Sequence, residues 1–230
     1  MTCTDIISVV QNNQRIYAYS IVSIWLIGRK HMPQAKSLTD KDLKKVLNYI
    51  STSKYAARDR CFLLCTVYGG MRIGEASALT IAHILNADGT IKDEVRLLSE
   101  ETKGDKGRTV MLPKKLQQEL HVYLVSRFGT DNLISITETD MTCALFYTQK
   151  ESKRGFTANT AAQHFGKIYR EAGITGASSH SGRRTFLTNL AHMGVGVRVL
   201  MQLAGHKNLS STQKYLDCNE SVMREAIELL

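Results

Sequence analysis

The segment from His180 to Tyr215 collects side chains whose types suit chemistry on a phosphate. It reads His180-Ser-Gly-Arg183, then Leu203-Ala-Gly-His206, then Tyr215. His180 and Arg183 are three residues apart, so on a helix they share a face one turn apart. An arginine grouped with histidines and a tyrosine points to an anion site, because the guanidinium fork matches phosphate oxygens. A metal is the competing reading for two histidines. Neither a His-x-x-x-His nor a Cys-x-x-Cys pair occurs here, so the spacing does not support it.

Three short elements must hold these groups. Phe186, Leu187, Leu190 and Met193 recur at helical spacing and predict that the His180–Arg183 helix rests on a core. Gly194 and Gly196 interrupt it. Val197, Leu200, Met201 and Ala204 then give a second amphipathic helix, with Gly205 where a C-terminal glycine belongs. His206 therefore falls just past a helix end. Tyr215 follows nine residues later, about half a turn out of phase on a continuous helix. Both face one centre only if the chain turns between them, and Asn208 with Ser210-Ser211-Thr212 supplies that turn and an N-cap.

Upstream residues supply the frame. An apolar N-terminal stretch leads to Pro33 and a polar linker at residues 34–37. Thr39 with Asp42 marks a helix start, and Leu43, Val46, Leu47 and Ile50 form its apolar face. A second helix, from about Ala56 to Tyr68, is rich in Phe, Leu, Val and Cys and reads as buried on several sides. It ends at Gly69-Gly70, and Arg72 follows with Glu75 one turn on and able to orient it. Asp88-Gly89 marks a turn. Val95–Leu98 and Arg108–Leu112 read as two strands joined through Thr102-Lys103-Gly104-Asp105-Lys106-Gly107. That loop lacks the Gly-x-x-x-x-Gly-Lys-Ser/Thr pattern, so no nucleotide site is read into it. Pro113 opens a helix to about Arg127, Ala144–Tyr147 reads as an edge strand, and Thr157 or Asn159 caps a helix through Ala172. The predicted fold class is mainly α with a small antiparallel β-sheet.

Composition narrows the partners. Hydrophobic residues make up 43% and charged residues 22% of 230, which suits a globular domain with a sizeable core. The net charge of +9 is not evenly spread. Residues 150–230 carry eleven Lys and Arg against six Asp and Glu, so positive charge is densest around the segment already singled out. That balance favours a polyanion such as DNA or RNA. Five scattered cysteines argue against a secreted disulfide framework, and Cys61 and Cys65 read as buried core thiols. Uncharged runs such as 16–28 are too short to span a bilayer, and the expectation is a cytoplasmic protein with no membrane partner.

Taken in order, Arg72, Lys103, His180, Arg183, His206 and Tyr215 give the chain a resemblance to the catalytic domain of tyrosine recombinases, the phage-type integrases. Gly-Met-Arg-Ile-Gly-Glu at 70–75 resembles the family's first arginine box, and Thr-Lys-Gly-Asp-Lys at 102–106 its β-hairpin lysine loop. His180-Ser-Gly-Arg183 resembles its His-x-x-Arg, and residues 203–215 its Gly-His and nucleophile box. The resemblance covers residues 37–217. It implies an N-terminal appendage over 1–36, a catalytic domain over 37–217 and a tail helix over 218–230. Most family members carry a larger helical DNA-clamping domain ahead of the catalytic one. In having only some 36 residues there, the chain is similar to the short recombinases that invert fimbrial promoter switches.

The resemblance implies cleavage and rejoining of double-stranded DNA through a 3′-phosphotyrosine, with neither metal nor other cofactor. Tyr215 would be the nucleophile, Arg72 and Arg183 would hold the non-bridging oxygens, and His206 would add a hydrogen bond. His180 would be the base, Lys103 would protonate the leaving 5′-hydroxyl, and Glu75 would support Arg72. Arg154, Arg184, Lys207 and Lys214 are the expected contacts to the DNA backbone. A homotetramer on DNA and accessory DNA-bending proteins are expected partners. Strand rotation by a type IB topoisomerase, and a DNA-binding accessory protein that lost activity, are the alternatives.

Overall fold

The computed structural model describes residues 34–97, 107–149, 151, 153–215 and 227–228. Lys103 and its loop, nearly all of the expected N-terminal appendage and most of the expected tail helix lie outside them. The chain divides into units over 1–34 and 35–230, and the description that follows concerns the second.

Helix α1 (Asp40–Ser51) starts as its sequence dictates. Thr39 accepts from the Asp42 amide and Asp42 accepts from the Thr39 amide, a reciprocal pair that satisfies two otherwise orphaned donors. Val46 and Ile50 are buried, and Leu43 and Leu47 pack against the same core from its edge. Helix α2 (Ala56–Val67) is buried along nearly its whole length, with Arg58 and Asp59 paired inside, and lies at the centre. Its Phe62 stacks on Phe146 at 4.3 Å and meets Phe165 edge-on at 5.0 Å. Helix α2 packs against α1, against the short α3 (Ile73–Ala78), and against α5 (Lys114–Phe128) and α8 (Ser181–His192).

Between α3 and α5 lie α4 (Ile81–Ile84) and a two-stranded antiparallel sheet, β1 (Glu94–Leu97) with β2 (Arg108–Met111). Leu97 pairs with Arg108 and Val95 with Val110, so these four share the inward face. After α5 come a 3₁₀ turn (Leu133–Ser135), α6 (Glu138–Met141) and α7 (Ala158–Glu171), which is capped by Thr157. Residues 144–147 form only isolated bridges, Thr80 with Ala144 and Tyr147 with Gly155. The edge strand expected there is absent among the described residues because only single residue pairs meet. Helices α8, α9 (Val197–Ala204) and α10 (Leu209–Gln213) follow.

Met193 departs from its expected role. It caps α8 and is 77% exposed, while Leu187 alone of the predicted apolar set is fully buried. The helix ends at His192, one residue before its apolar pattern does, and the last repeat faces solvent. The mainly helical architecture with one small antiparallel sheet agrees with the fold class read from sequence. No helix among the described residues is long and apolar enough to cross a membrane.

Candidate active site

Two glycines decide where the functional side chains come together. A Cβ on Gly182 would lie 1.9 Å from Thr66 Oγ1, so only glycine lets α8 approach α2 this closely. That approach brings Arg183 beneath the end of α2, where its Nη1 donates to the Gly70 carbonyl at 2.8 Å. Gly205 closes α9 with φ +61°, the left-handed turn that glycine adopts at least cost. The turn leaves the Ala204 carbonyl facing Arg183 Nη2, which donates to it, and sets His206 beside the same guanidinium. Arg183 Nη2 lies 3.3 Å from His206 Nε2.

Arg72 reaches the cluster from the start of α3. Glu75 Oε2 accepts the Arg72 amide at 2.7 Å and Oε1 accepts Arg72 Nη1 at 2.6 Å, so one carboxylate caps the helix and aims the guanidinium. Glu75 is buried, which alone would raise its pKa. Arg108, the Arg72 amide and Arg183 outweigh burial and hold it below its ordinary value. Arg183 is buried too, and burial together with Arg72 and Arg108 pushes its pKa down to about 9. It remains a cation at neutral pH.

His206 is half-buried. Burial, then Arg183, Arg72 and Arg108, push its pKa down to about 4, so the ring is neutral at pH 7. Its Nδ1 lies 2.9 Å from Oγ1 of the buried Thr212 on α10. The turn anticipated between His206 and Tyr215 is made by Asn208 and α10, and it returns the tyrosine to the cluster. The Tyr215 and His206 rings stack at 6.0 Å with planes 17° apart, and the Arg184 guanidinium carbon lies 5.5 Å from the Tyr215 ring centre.

Residues 36–221 match the family model described as the phage integrase family. The chain belongs to this family. Tyrosine recombinase XerA of Pyrococcus furiosus is 30% identical over 194 residues, covering 84% of this chain and 61% of that protein. This phage integrase family chain thus spans about three-fifths of that curated relative. The crystal structure of XerA recombinase superposes with a TM-score of 0.61 at 24% identity, covering 84% of this chain and 64% of that one. XerH site-specific recombinase bound to palindromic difH substrate, a post-cleavage complex, gives 0.58 at 24% identity, covering 83% and 51%. At these identities the two structures show the shared fold.

Of the site residues expected from sequence, the structure gathers Arg72, Glu75, Arg183 and His206, with Tyr215 stacked on the last. His180 is the exposed N-cap of α8, one turn before Arg183. Arg184 sits at the rim, and Lys207 and Lys214 are exposed on either side of α10. Arg154 is exposed in the loop ahead of α7 and shares no contact with the cluster among the described residues. Lys103 lies outside those residues. Arg108 joins the cluster unannounced, read from sequence only as the start of a strand. Its signal was present: it is a charge at an inward position of β2, two residues before the buried Val110.

Proposed function

We propose that the chain is the catalytic part of a site-specific recombinase that cuts and rejoins double-stranded DNA through a 3′-phosphotyrosine. The observation that carries this reading is the placement of Tyr215 against a neutral His206 that itself abuts Arg183 and lies near Arg72. Three guanidiniums surround one carboxylate there, leaving two positive charges in surplus. A phosphorane-like transition state carries two negative charges on its non-bridging oxygens, so the surplus matches the charge that develops.

In the forward step the Tyr215 hydroxyl oxygen bonds to phosphorus and its proton passes to His180. The bond from phosphorus to the 5′-oxygen breaks, and Lys103 protonates that oxygen as it leaves. Arg72 and Arg183 hold the non-bridging oxygens throughout. The phosphotyrosine ester conserves the bond energy, so religation to another 5′-hydroxyl is the same step reversed and needs no nucleotide. The basic residues 150–230, with Arg154, Arg184, Lys207 and Lys214 among them, would supply the contacts to the DNA backbone. Recombination of two sites further requires four active sites in one assembly, and we include a homotetramer on DNA in the reading.

The test is a nicked suicide duplex, which traps covalent protein. The unaltered chain should form an adduct that Tyr215→Phe cannot form although it still binds DNA. An adduct with the phenylalanine variant would remove Tyr215 from its role. Relaxation of a supercoiled plasmid without exchange between two sites would instead identify a strand-rotating topoisomerase.

A further inference from the structure

Arg108 is the first residue of β2, and its side chain is 9% exposed. Its guanidinium reaches three separate pieces of the active site. Nε and Nη2 donate to the two oxygens of Glu75 at 3.2 and 2.7 Å, Nη1 donates to the Leu203 carbonyl at 2.6 Å, and Nη2 also reaches the Gly70 carbonyl at 3.3 Å. Each acceptor is one that places Arg72 or Arg183, or is the immediate neighbour of one that does. Glu75 aims Arg72, Gly70 holds Arg183, and Leu203 adjoins the Ala204 carbonyl that holds Arg183 from the other side.

The fit is built from both directions. A Cβ on Gly205 would lie 2.7 Å from Arg108 Cδ, so the glycine before His206 leaves the passage through which the Arg108 side chain runs. With all three nitrogens committed and little surface exposed, Arg108 is not placed to touch DNA. Its neighbour Glu75 explains the need for it. A single buried carboxylate facing only Arg72 and Arg183 would draw both guanidiniums into ion pairs and away from a substrate phosphate. Arg108 engages both carboxylate oxygens with a fork of matching geometry, so that Arg72 commits one guanidinium nitrogen to Glu75 and Arg183 stays 3.9 Å from it, leaving further donors on both.

We infer that Arg108 is a positioning residue for the cleavage reaction: it engages Glu75 and ties β2 to Gly70 and Leu203, so that Arg72 and Arg183 present their guanidiniums to the scissile phosphate. The inference rests on the proposed function. It separates the cluster into two arginines that meet substrate and one that holds them.

Arg108→Ala and Arg108→Lys test it, measured by single-turnover cleavage of the suicide duplex at saturating DNA. Both should slow cleavage, by roughly the 100-fold that a misplacement of about 1 Å at a reacting centre costs, while the dissociation constant for DNA changes less than about 3-fold. The lysine variant keeps the charge and loses the fork, so it should remain slow. A second reading comes from the His206 ring, titrated by NMR. In the alanine variant its pKa should rise from about 4, because one of the cations that depresses it is gone, and a residue serving only as core filler would not move it. Cleavage at the unaltered rate in both folded variants would overturn the inference, as would equal losses of binding and rate. Loss of the native circular dichroism by both variants would also overturn it, assigning Arg108 to stability. If the unaltered chain forms no adduct, the proposed function fails first, and the two failures are distinct.

Discussion

The buried hydroxyl of Thr212 lies 2.9 Å from Nδ1 of His206, while Arg183 Nη2 faces the opposite ring nitrogen at 3.3 Å. A guanidinium only donates, so the contact to Arg183 assigns a lone pair to Nε2 and the ring proton to Nδ1, which donates to Thr212. To donate to a phosphate oxygen, as the family resemblance implies, the ring must instead carry its proton on Nε2. A hydroxyl can both accept and donate, so Thr212 can serve either tautomer without moving.

Thr212→Val keeps the shape and removes both roles. Cleavage should slow by roughly 10- to 100-fold, of the order seen when a group orienting a catalytic ligand is lost, with DNA binding unchanged. Thr212→Ser should recover most of the rate. A valine variant as fast as the unaltered chain would show that His206 needs no orienting partner.

The depressed pKa of His206 sets a pH dependence of stability. The folded pKa is about 4 and the unfolded value is near 6.5. Between those values the unfolded state binds a proton that the folded state does not, so stability rises with pH. The contribution is therefore whole above about pH 6.5 and is lost as pH falls toward 4. The full shift corresponds to about 3 kcal/mol, but the ring is half-exposed and solvent screening reduces this to the order of 1 kcal/mol. Urea unfolding of His206→Asn should show a shallower decline from pH 7 to pH 5 than the unaltered chain. Parallel declines would mean that other groups carry the acid sensitivity.

Gly182 carries the closest helix approach in the site. Gly182→Ala would place a methyl carbon 1.9 Å from Thr66 Oγ1 and 2.9 Å from its Cβ. Overpacking of this kind costs about 1–3 kcal/mol, which for a domain of this size lowers Tm by roughly 2–4 °C per kcal/mol. Because α8 must move outward, Arg183 moves with it, and cleavage should fall by more than the stability loss accounts for. A drop in Tm with an unchanged cleavage rate at low temperature would show that Arg183 tolerates the shift.

Most of the helical frame was legible in the sequence because its signals are local. The Thr39–Asp42 cap, the Pro113 start, the glycine at 205 and the apolar run from Cys61 to Cys65 in α2 each announce themselves within a few residues. The pairing of Arg72 with Glu75 was legible for the same reason. What stayed hidden is what depends on distant chain. Arg108 meets Glu75 across 33 residues and Leu203 across 95, and neither contact leaves a mark in spacing. Thr212 was read as part of a turn and cap, whereas its hydroxyl belongs to His206. The strand expected at residues 144–147 failed because the apolar pair Leu145 and Phe146 is buried against α5 and α2 rather than paired in a ladder.

The role of Lys103 can be decided by changing the leaving group. If its ammonium protonates the departing 5′-oxygen, Lys103→Ala should slow cleavage of ordinary DNA by roughly 10²–10⁴-fold, the usual contribution of a general acid. A 5′-bridging sulfur leaves as a stable thiolate and needs little protonation, because a thiol is far more acidic than an alcohol. The alanine variant should therefore cleave the sulfur-containing duplex nearly as fast as the unaltered chain does. An equal defect on both duplexes would make Lys103 a group that positions DNA, and Lys106 on the same loop would be tested next as the acid. No defect on either would leave Lys103 a solvated lysine of the turn, and the proton would have to come from another member of the cluster.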